Sequence, residues 1–392
     1  MNFKTWIATA AGLMLAVGAS AQADKELRVG VVGSLSGVYG VGGKQMQNGI
    51  NAFLKLNGDE VAGRKITLIY RDTGGPNPDS AKRAAQELIA RDKVEVLAGF
   101  DFTPSALAVA PLSAQAKVPM IVMNAATSII PTKSPYIVRS SFTTAQTSFP
   151  LGQWAYKQGL KNVYITVADF APGHEAALWF KKSFEAAGGK IAGELALPVT
   201  NFDYAPFLQR VKDAKPDAVF AFLPVGEPVI LYYKAWADRG LGAAGIKLIS
   251  PEGWVDSDVL RAAGPAAVGA VSTGFYTPSH DSKRNKAFIG AYQSVAGGQM
   301  DANYLAVGAF DGMAVLYEAL KKTKGVSDGD TLVAAMKGLT LDSPRGPMSI
   351  DAETRDVVNT VYVRRVELVK GVPTAVEFDK FDAVKDMGKP AQ

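Results

Sequence analysis

The chain alternates between continuous apolar runs and segments in which apolar residues recur at helical spacing. In the first half the apolar runs are residues 26–33, 65–72, 94–100 and 119–124. The segment after the first run carries Met46, Ile50, Phe53 and Leu54 at helical spacing, and the segment after the second opens with Pro78 and Asp79. Strands that are continuously apolar and are each followed by a helix are typical of a parallel sheet covered on both faces. This order most constrains the fold, and it predicts an α/β protein.

The pattern begins again near residue 162 and predicts a second parallel unit of similar size. Its apolar runs are residues 162–169, 191–198, 217–224 and 246–250, and further helices are expected near 284–296, 303–321 and 328–337. From MSID at 348 to AVEFD at 375 the chain alternates with period two, which predicts a small antiparallel sheet. No long linker separates the halves, so we expect two lobes joined by several short crossings.

The first 23 residues, MNFKTWIATAAGLMLAVGASAQA, have the organisation of a secretory signal peptide. Lys4 precedes an apolar stretch without charge, and Ala21-Gln22-Ala23 forms a small-x-small cleavage site. We predict cleavage after Ala23 and a periplasmic, soluble product, because no later segment is a candidate membrane span. A lipid anchor on cysteine is excluded, since the chain contains no cysteine.

Composition excludes several classes of function. With 48% hydrophobic and 20% charged residues, the 392-residue chain is globular and long enough for about two domains. The net charge of +5 is scattered, so no nucleic-acid surface is expected. Residues 37–45, GVYGVGGKQ, lack the first glycine and the final Ser or Thr of a phosphate-binding loop. A thiol nucleophile is impossible, and only His174 and His280 could serve a triad or a metal. The sequence therefore predicts no enzyme, no cofactor and no metal.

One helix start follows a predicted strand end. In AGFDFTPSALAVAP (98–111), Thr103-Pro104-Ser105 opens a helix directly after an apolar run, and Asn124-Ala125-Ala126-Thr127 follows the next run. Ligands of open parallel sheets bind beyond the carboxyl ends of the strands, where helix N-termini direct amides outward. These groups either bind an anion or only cap their helices, and spacing alone leaves both possibilities open.

An ordered set of segments resembles the leucine/isoleucine/valine-binding protein family, the exported receptors of ABC importers. The segments are SLSGVYGVGG with NGINAF, RDTGGPNPDSAKRAAQELIARDKVEVLAG, VPMIVMNAATS and ISPEGW. The resemblance runs from about Leu27 to the final sheet. It implies the type I periplasmic-binding-protein fold, in which two Rossmann-like lobes joined by three crossovers close over a ligand. By this resemblance lobe one comprises residues 24–142 and 275–341, and lobe two comprises 143–274 and 342–392.

The resemblance also implies a binding site. The matching segments hold a ligand carboxylate, which makes Ser105 and Thr127 the main candidates, with Ala125 contributing backbone and Thr103 a further hydroxyl. Glu252 in PEG matches the acid that receives a ligand ammonium. The loop after residue 169 departs from the family, because Phe170 stands where relatives commonly have a Tyr-Gly pair. Four more aromatic residues near predicted strand ends could contact the body of a ligand: Tyr39, Phe102, Trp254 and Tyr304.

The predicted function is that of a monomeric periplasmic receptor that binds an apolar or aromatic amino acid between its lobes. It would deliver this ligand to an ABC permease and its ATPase. A close alternative ligand is an aromatic or aliphatic carboxylate without an ammonium, such as a benzoate-like acid. A sensing subunit without transport is a second alternative. A secreted enzyme on the same scaffold is a third, although no acid–base pair can be named for it.

Overall fold

The computed structural model of the protein describes residues 25–388. The predicted signal peptide, residues 1–23, lies outside the described residues. Within them, no helix is long and apolar enough to cross a membrane.

The first sheet has six strands in the order β2-β3-β1-β4-β5-β6. All neighbouring pairs are parallel except the short β2, which is antiparallel to β3. The strands are β1 (Glu26–Gly33), β2 (Glu60–Val61), β3 (Arg64–Asp72), β4 (Val96–Gly99), β5 (Met120–Val122) and β6 (Ile137–Arg139). The helices between them are α1 (Gly40–Asn57), α2 (Pro78–Ala90) and α3 (Thr103–Ala116). The predicted parallel sheet is confirmed.

The second sheet has nine strands, and β8-β7-β9-β10-β11 form its parallel part. These five strands are β7 (Asn162–Ala168), β8 (Lys190–Leu197), β9 (Ala218–Phe222), β10 (Lys247–Ser250) and β11 (Val271–Gly274). The helices of this half are α4 (Thr144–Lys157), α5 (Ala171–Ala186), α6 (Ala205–Asp213), α7 (Glu227–Asp238) and α8 (Ser257–Ala263). Three helices follow before the chain returns to this sheet: α9 (Lys283–Ala296), α10 (Tyr304–Thr323) and α11 (Gly329–Met336).

The C-terminal strands do not form a separate small sheet. They are β12 (Thr340–Ser343), β13 (Gly346–Ile350), β14 (Val357–Val369) and β15 (Val372–Val384), and they are mutually antiparallel as expected. However, β14 also pairs with β11, antiparallel, from Val271–Arg365 to Gly274–Tyr362. The otherwise open edge of β11 is thereby covered, and one mixed sheet results.

The fold is the predicted α/β arrangement of two lobes joined by three crossovers. The first crossover follows β6, where the chain leaves the first sheet for the second. The second follows β11 and leads to α9 and α10, which pack on α1 of the first half. The third precedes β12, where the chain returns to the second sheet. The approach of α1 to α10 is close, since a Cβ at Gly49 would overlap the carbonyl of Ala306. The exact lobe boundaries, 24–142 with 275–341 and 143–274 with 342–392, stay predictions.

Two of the crossovers meet at Arg345, which lies in the turn between β12 and β13. Its guanidinium donates to the carbonyl of Ser141 at 2.5 Å and also to that of Ser140, both in the first crossover. It lies 4.3 Å from the ring of Phe275 in the second crossover and pairs with Asp311 of α10 at 2.9 Å. One buried side chain therefore links two of the connections between the lobes to α10.

Candidate ligand-binding site

A cavity of about 520 Å³ lies between the two sheets. Its walls are the loops that follow β1, β4 and β5 on one side and those that follow β7, β9 and β10 on the other, together with the start of α10. The cavity therefore lies where both parallel sheets end at their carboxyl edges, as ligand sites in such sheets do. Its volume suits a small organic ligand.

Seven of the ten predicted site residues line this cavity. They are Tyr39, Phe102, Thr103, Ala125, Phe170, Glu252 and Tyr304. Ser105 and Thr127 are not part of the lining, and neither is Trp254, which is buried against Tyr232 and Tyr233 instead. The sequence prediction of the region is therefore better than its prediction of the individual contacts.

Thr103, rather than Ser105, presents its side chain to the cavity at the start of α3. Successive helical residues are rotated by about 100°, so Ser105 points to a different side of the helix from Thr103. Ser105 is fully buried, and its Oγ has no hydrogen-bond partner within residues 25–388. The Thr103 and Thr127 hydroxyls are 2.7 Å apart and share a hydrogen bond. Thr127 thus orients the hydroxyl of Thr103 from behind the cavity wall.

The loop after β5 is held firmly by its backbone. The amide of Ala125 donates to the carbonyl of Phe100 at 2.8 Å, so it is not available to a ligand as the sequence suggested. The carbonyls of Ala125 and Thr127 both accept from Arg139 Nη1 at 2.9 Å. Arg139 is fully buried and pairs with Asp356 at 2.6 Å. This network fixes the loop beside Thr103.

Glu252 lines the cavity, but its charge is already paired within the protein. Arg364 Nη1 lies 2.8 Å from Glu252 Oε1, and both side chains are buried. Oε2 accepts from the amide of Phe275 at 2.6 Å, and Oε1 also accepts from the amide of Gly253 at 3.2 Å. A Cβ at Gly274 would overlap both members of the pair, so only glycine fits there. Arg364, from a distant strand, thus already neutralises the carboxylate that the family resemblance assigned to a ligand ammonium.

The charged side chains that line the cavity are all acidic. Besides Glu252 they are Asp101, Glu227, Asp256 and Asp258, and no lysine or arginine is among the described residues of the lining. Burial raises the pKa of Asp101, and burial together with the charge of Glu252 raises that of Asp256 well above its usual value. A raised pKa favours the neutral carboxyl, so these two acids repel an anion less than their number suggests.

Positive electrostatic potential comes from backbone instead. Five helices of eight or more residues, α1, α3, α5, α7 and α10, begin at the cavity wall. The first amides of each helix lack intrahelical acceptors, and the helix dipole favours negative charge at this end. The cavity can therefore bind an anionic group without a cationic side chain.

Aromatic rings from both lobes supply the apolar walls. Tyr39 and Phe102 meet edge to face with ring centroids 4.9 Å apart, and Phe170 lies 6.2 Å from Phe222 across the lobe-two wall. Other residues line the cavity without having been predicted, among them Asp101, Phe142, Phe222, Asp256 and Asn303, and Asn124 does so from a loop that was predicted without Asn124 being singled out. Phe222 and Asn124 lie at or just after the ends of predicted strands, and Asp256 follows Glu252 by four positions. Nearness to a predicted strand end could therefore have indicated these three residues.

Comparison with known proteins identifies the family. Residues 26–372 match the family model described as periplasmic binding protein. The chain is similar to a "Leu/Ile/Val-binding protein homolog 6" of Brucella melitensis, with 40% identity over 98% of this chain and 99% of that protein.

Two solved structures are also similar. One is a solute binding protein of an ABC transporter from Rhodopseudomonas palustris BisB5, in complex with 3,4-dihydroxybenzoic acid. It is 50% identical with a TM-score of 0.90, covering 94% of this chain and all of that one. The other, from Rhodopseudomonas palustris HaA2 and in complex with p-hydroxybenzoic acid, is 45% identical with a TM-score of 0.90, covering 93% and 99%. The chain belongs to the periplasmic binding protein family, as a solute-binding protein of an ABC transporter.

Proposed function

We propose that this receptor binds an aromatic carboxylate that lacks an ammonium group, a ligand of the benzoate class, and delivers it to an ABC permease. This reverses the order of the two ligand classes expected from the sequence. The observation that carries the proposal is the buried pair of Glu252 and Arg364 beside the cavity.

An ammonium group needs a carboxylate whose charge is not already compensated. Both oxygens of Glu252 accept hydrogen bonds from within the protein, and its charge is balanced by Arg364 at 2.8 Å. Replacing this partner by a ligand ammonium would leave the arginine buried and unpaired, which costs about 3–5 kcal/mol. Glu252 is therefore a poor receptor for an amino group, and a ligand without one fits the site better.

The carboxylate of such a ligand would lie at the start of α3. There the hydroxyl of Thr103, oriented by Thr127, and the first amides of the helix supply hydrogen-bond donors. Hydrogen bonds to a charged carboxylate are among the stronger ones, and a closed cavity strengthens them further. The ring of the ligand would contact Phe102, Phe170 and their neighbours, which present apolar faces from both lobes. The two benzoic-acid complexes of relatives 45–50% identical to this chain support this ligand class.

The receptor makes and breaks no covalent bond. It closes by hinge motion around the ligand, and the permease docks on the rims of both lobes; on the first lobe, Val38 and Val41 expose apolar surface at the cavity mouth. Export by the signal peptide, cleavage after Ala23 and a monomeric state are part of the same proposal. A sensing role without transport would be recognised by the absence of permease and ATPase genes beside this one.

A ligand screen tests the proposal. We expect benzoate, 4-hydroxybenzoate or 3,4-dihydroxybenzoate to raise the melting temperature, because a ligand that binds only the folded state stabilises it by mass action. Leucine, valine and phenylalanine serve as the matched ammonium-bearing set and should leave the melting temperature unchanged. Stabilisation by the amino acids alone would overturn the proposal.

Amino-acid binding is the second candidate, and one observation favours it. Asp101 and Asp256 line the cavity and could ionise next to an ammonium even though burial raises the pKa of each. The name of the Brucella relative is consistent with this candidate. The same screen distinguishes the two classes directly.

A further inference from the structure

The carboxylate of Asp256 occupies an unusual position for a residue at a helix start. Asp256 is the N-cap of α8, where an aspartate ordinarily accepts a hydrogen bond from a helix amide. Here the side chain makes no such bond. It is only 6% exposed and faces the cavity. A buried acid that gives up its usual capping bond is a sign of function rather than of local stability.

Asn303 holds this carboxylate in place. Asn303 Oδ1 caps α10 by accepting from the amides of Leu305 and Ala306 at 3.0 and 3.3 Å. Its Nδ2 then donates to Asp256 Oδ2 at 3.0 Å. Asp256 Oδ1 has no hydrogen-bond partner within residues 25–388. One oxygen of the carboxyl is thus fixed by the protein, and the other can accept a hydrogen bond from a ligand.

Asp256 and Thr103 belong to loops at the ends of different sheets. Asp256 follows β10 of the second sheet, and Thr103 follows β4 of the first. Both residues line the cavity, so a ligand whose carboxylate is bound at Thr103 can extend across the cavity to the wall that contains Asp256. Of the other acids on that wall, Glu252 has both oxygens occupied, Asp258 pairs with Arg261 and Glu227 is exposed, so Asp256 is the buried acceptor that is available.

We propose that Asp256 accepts a hydrogen bond from a ring hydroxyl of the ligand, so that the receptor prefers hydroxylated benzoates to benzoate; this rests on the proposed function. A phenol is a good donor, and the carboxyl oxygen accepts whether or not the other oxygen carries a proton. Because the hydroxyl would bind the second lobe while the carboxylate binds the first, it also favours the closed form. Benzoate would leave Asp256 Oδ1 buried without a partner.

Calorimetric titration of benzoate, 4-hydroxybenzoate and 3,4-dihydroxybenzoate tests the assignment. We expect wild type to bind at least one hydroxylated acid about tenfold or more tighter than benzoate, the cost of an unmet buried hydrogen bond. Asp256→Ala should bring this ratio close to one, with benzoate affinity unchanged or higher, because benzoate no longer leaves a buried oxygen unpaired. Asp281→Ala, which removes an exposed aspartate outside the cavity lining, should keep the wild-type ratio.

Asp256→Leu keeps the branched shape of the side chain, although leucine is larger, and gives the same test if the alanine variant does not fold, as judged by circular dichroism. An unchanged ratio in a folded Asp256 variant overturns the assignment, and so does an equal loss of affinity for benzoate and for the hydroxylated acids. Wild type that binds none of the three acids contradicts the proposed function itself, an outcome separate from either of these.

Discussion

The buried carboxylate of Glu252 shares its charge with Arg364 of β14 rather than with the open cavity. Arg364 also donates to the carbonyl of Tyr276 at 2.7 Å and to Ser272 Oγ at 2.9 Å. The guanidinium therefore ties together β11, β14 and the loop after β10. Removing one member of such a buried pair is far more costly than removing both.

We expect Glu252→Gln to lower the free energy of unfolding by about 3–5 kcal/mol, because it leaves Arg364 buried without a counter-charge. The double variant Glu252→Gln with Arg364→Met should recover most of this loss, as measured by urea denaturation. Benzoate affinity of the single variant should be unchanged or higher, since the unpaired guanidinium attracts a carboxylate. A loss of benzoate affinity greater than about tenfold would contradict the proposed ligand class.

At the residue scale, sequence reasoning located the site but not its chemistry. PEG at 251–253 predicted an acid at a strand end, and Glu252 does line the cavity. Its partner, however, is 112 positions away in a strand that pairs with β11 only in the folded protein. No local pattern around Glu252 indicates that its charge is compensated. The function of the acid therefore depended on a long-range contact that periodicity cannot show.

At the element scale, the start of α3 and the loop after β5 act as one unit. Thr103 faces the cavity, and Thr127 orients it through their shared hydrogen bond. Arg139 fixes the loop after β5 by donating to two of the loop's carbonyls. The sequence correctly predicted a helix beginning at Thr103-Pro104. It ranked Ser105 above Thr103, whereas Thr103 lines the cavity, because the rotation of a helix about its axis is set by the core that it packs against.

We expect Thr103→Val to weaken benzoate binding by about 1.5–3 kcal/mol, the value of a hydrogen bond to a charged group. Thr127→Val should cost less, since its hydroxyl only orients that of Thr103. Isothermal titration calorimetry on the two isosteric variants measures the difference, and thermal melts control for stability. Equal losses, or a larger loss at Thr127, would show that the carboxylate is bound elsewhere.

The strands and helices were largely predictable, and their assembly was less so. Continuous apolar runs gave the parallel strands, and period-two alternation gave β14 and β15. The joining of β14 to β11 was not expected, because edge pairing depends on which strand edge the chain meets after its third crossover. That single pairing also brings Arg364 to Glu252, so the missed element contact and the missed site chemistry have one cause.

At the scale of the whole molecule, lobe movement must pass through the three crossovers, and Arg345 contacts two of them together with α10. Its partner Asp311 is buried on α10 and also accepts from Ser343 Oγ at 2.9 Å. Burial raises the pKa of Asp311 to about 6, even though the charge of Arg345 lowers it. The contacts that Arg345 makes around the crossovers thus include an acid that is ionised chiefly because this arginine lies beside it.

Arg345→Met leaves Asp311 buried without that arginine, and we expect the free energy of unfolding at pH 7.5 to fall by about 3–5 kcal/mol. The pKa of Asp311 is already raised in the folded state, so its proton is bound more tightly there than in the unfolded chain. The stability that the neutral acid confers is present at low pH and is lost as the pH rises through the folded pKa. Without the arginine the pKa of Asp311 in the folded state rises further, and the difference in the free energy of unfolding between wild type and Arg345→Met should shrink as the pH is lowered toward 5.

Urea denaturation at both pH values measures this change. The double variant Arg345→Met with Asp311→Asn, which has neither charge of the pair, should show the smallest dependence on pH. A stability difference between wild type and Arg345→Met that is constant from pH 5 to 7.5 would show that Arg345 stabilises the hinge by packing against Phe275 rather than by its charge.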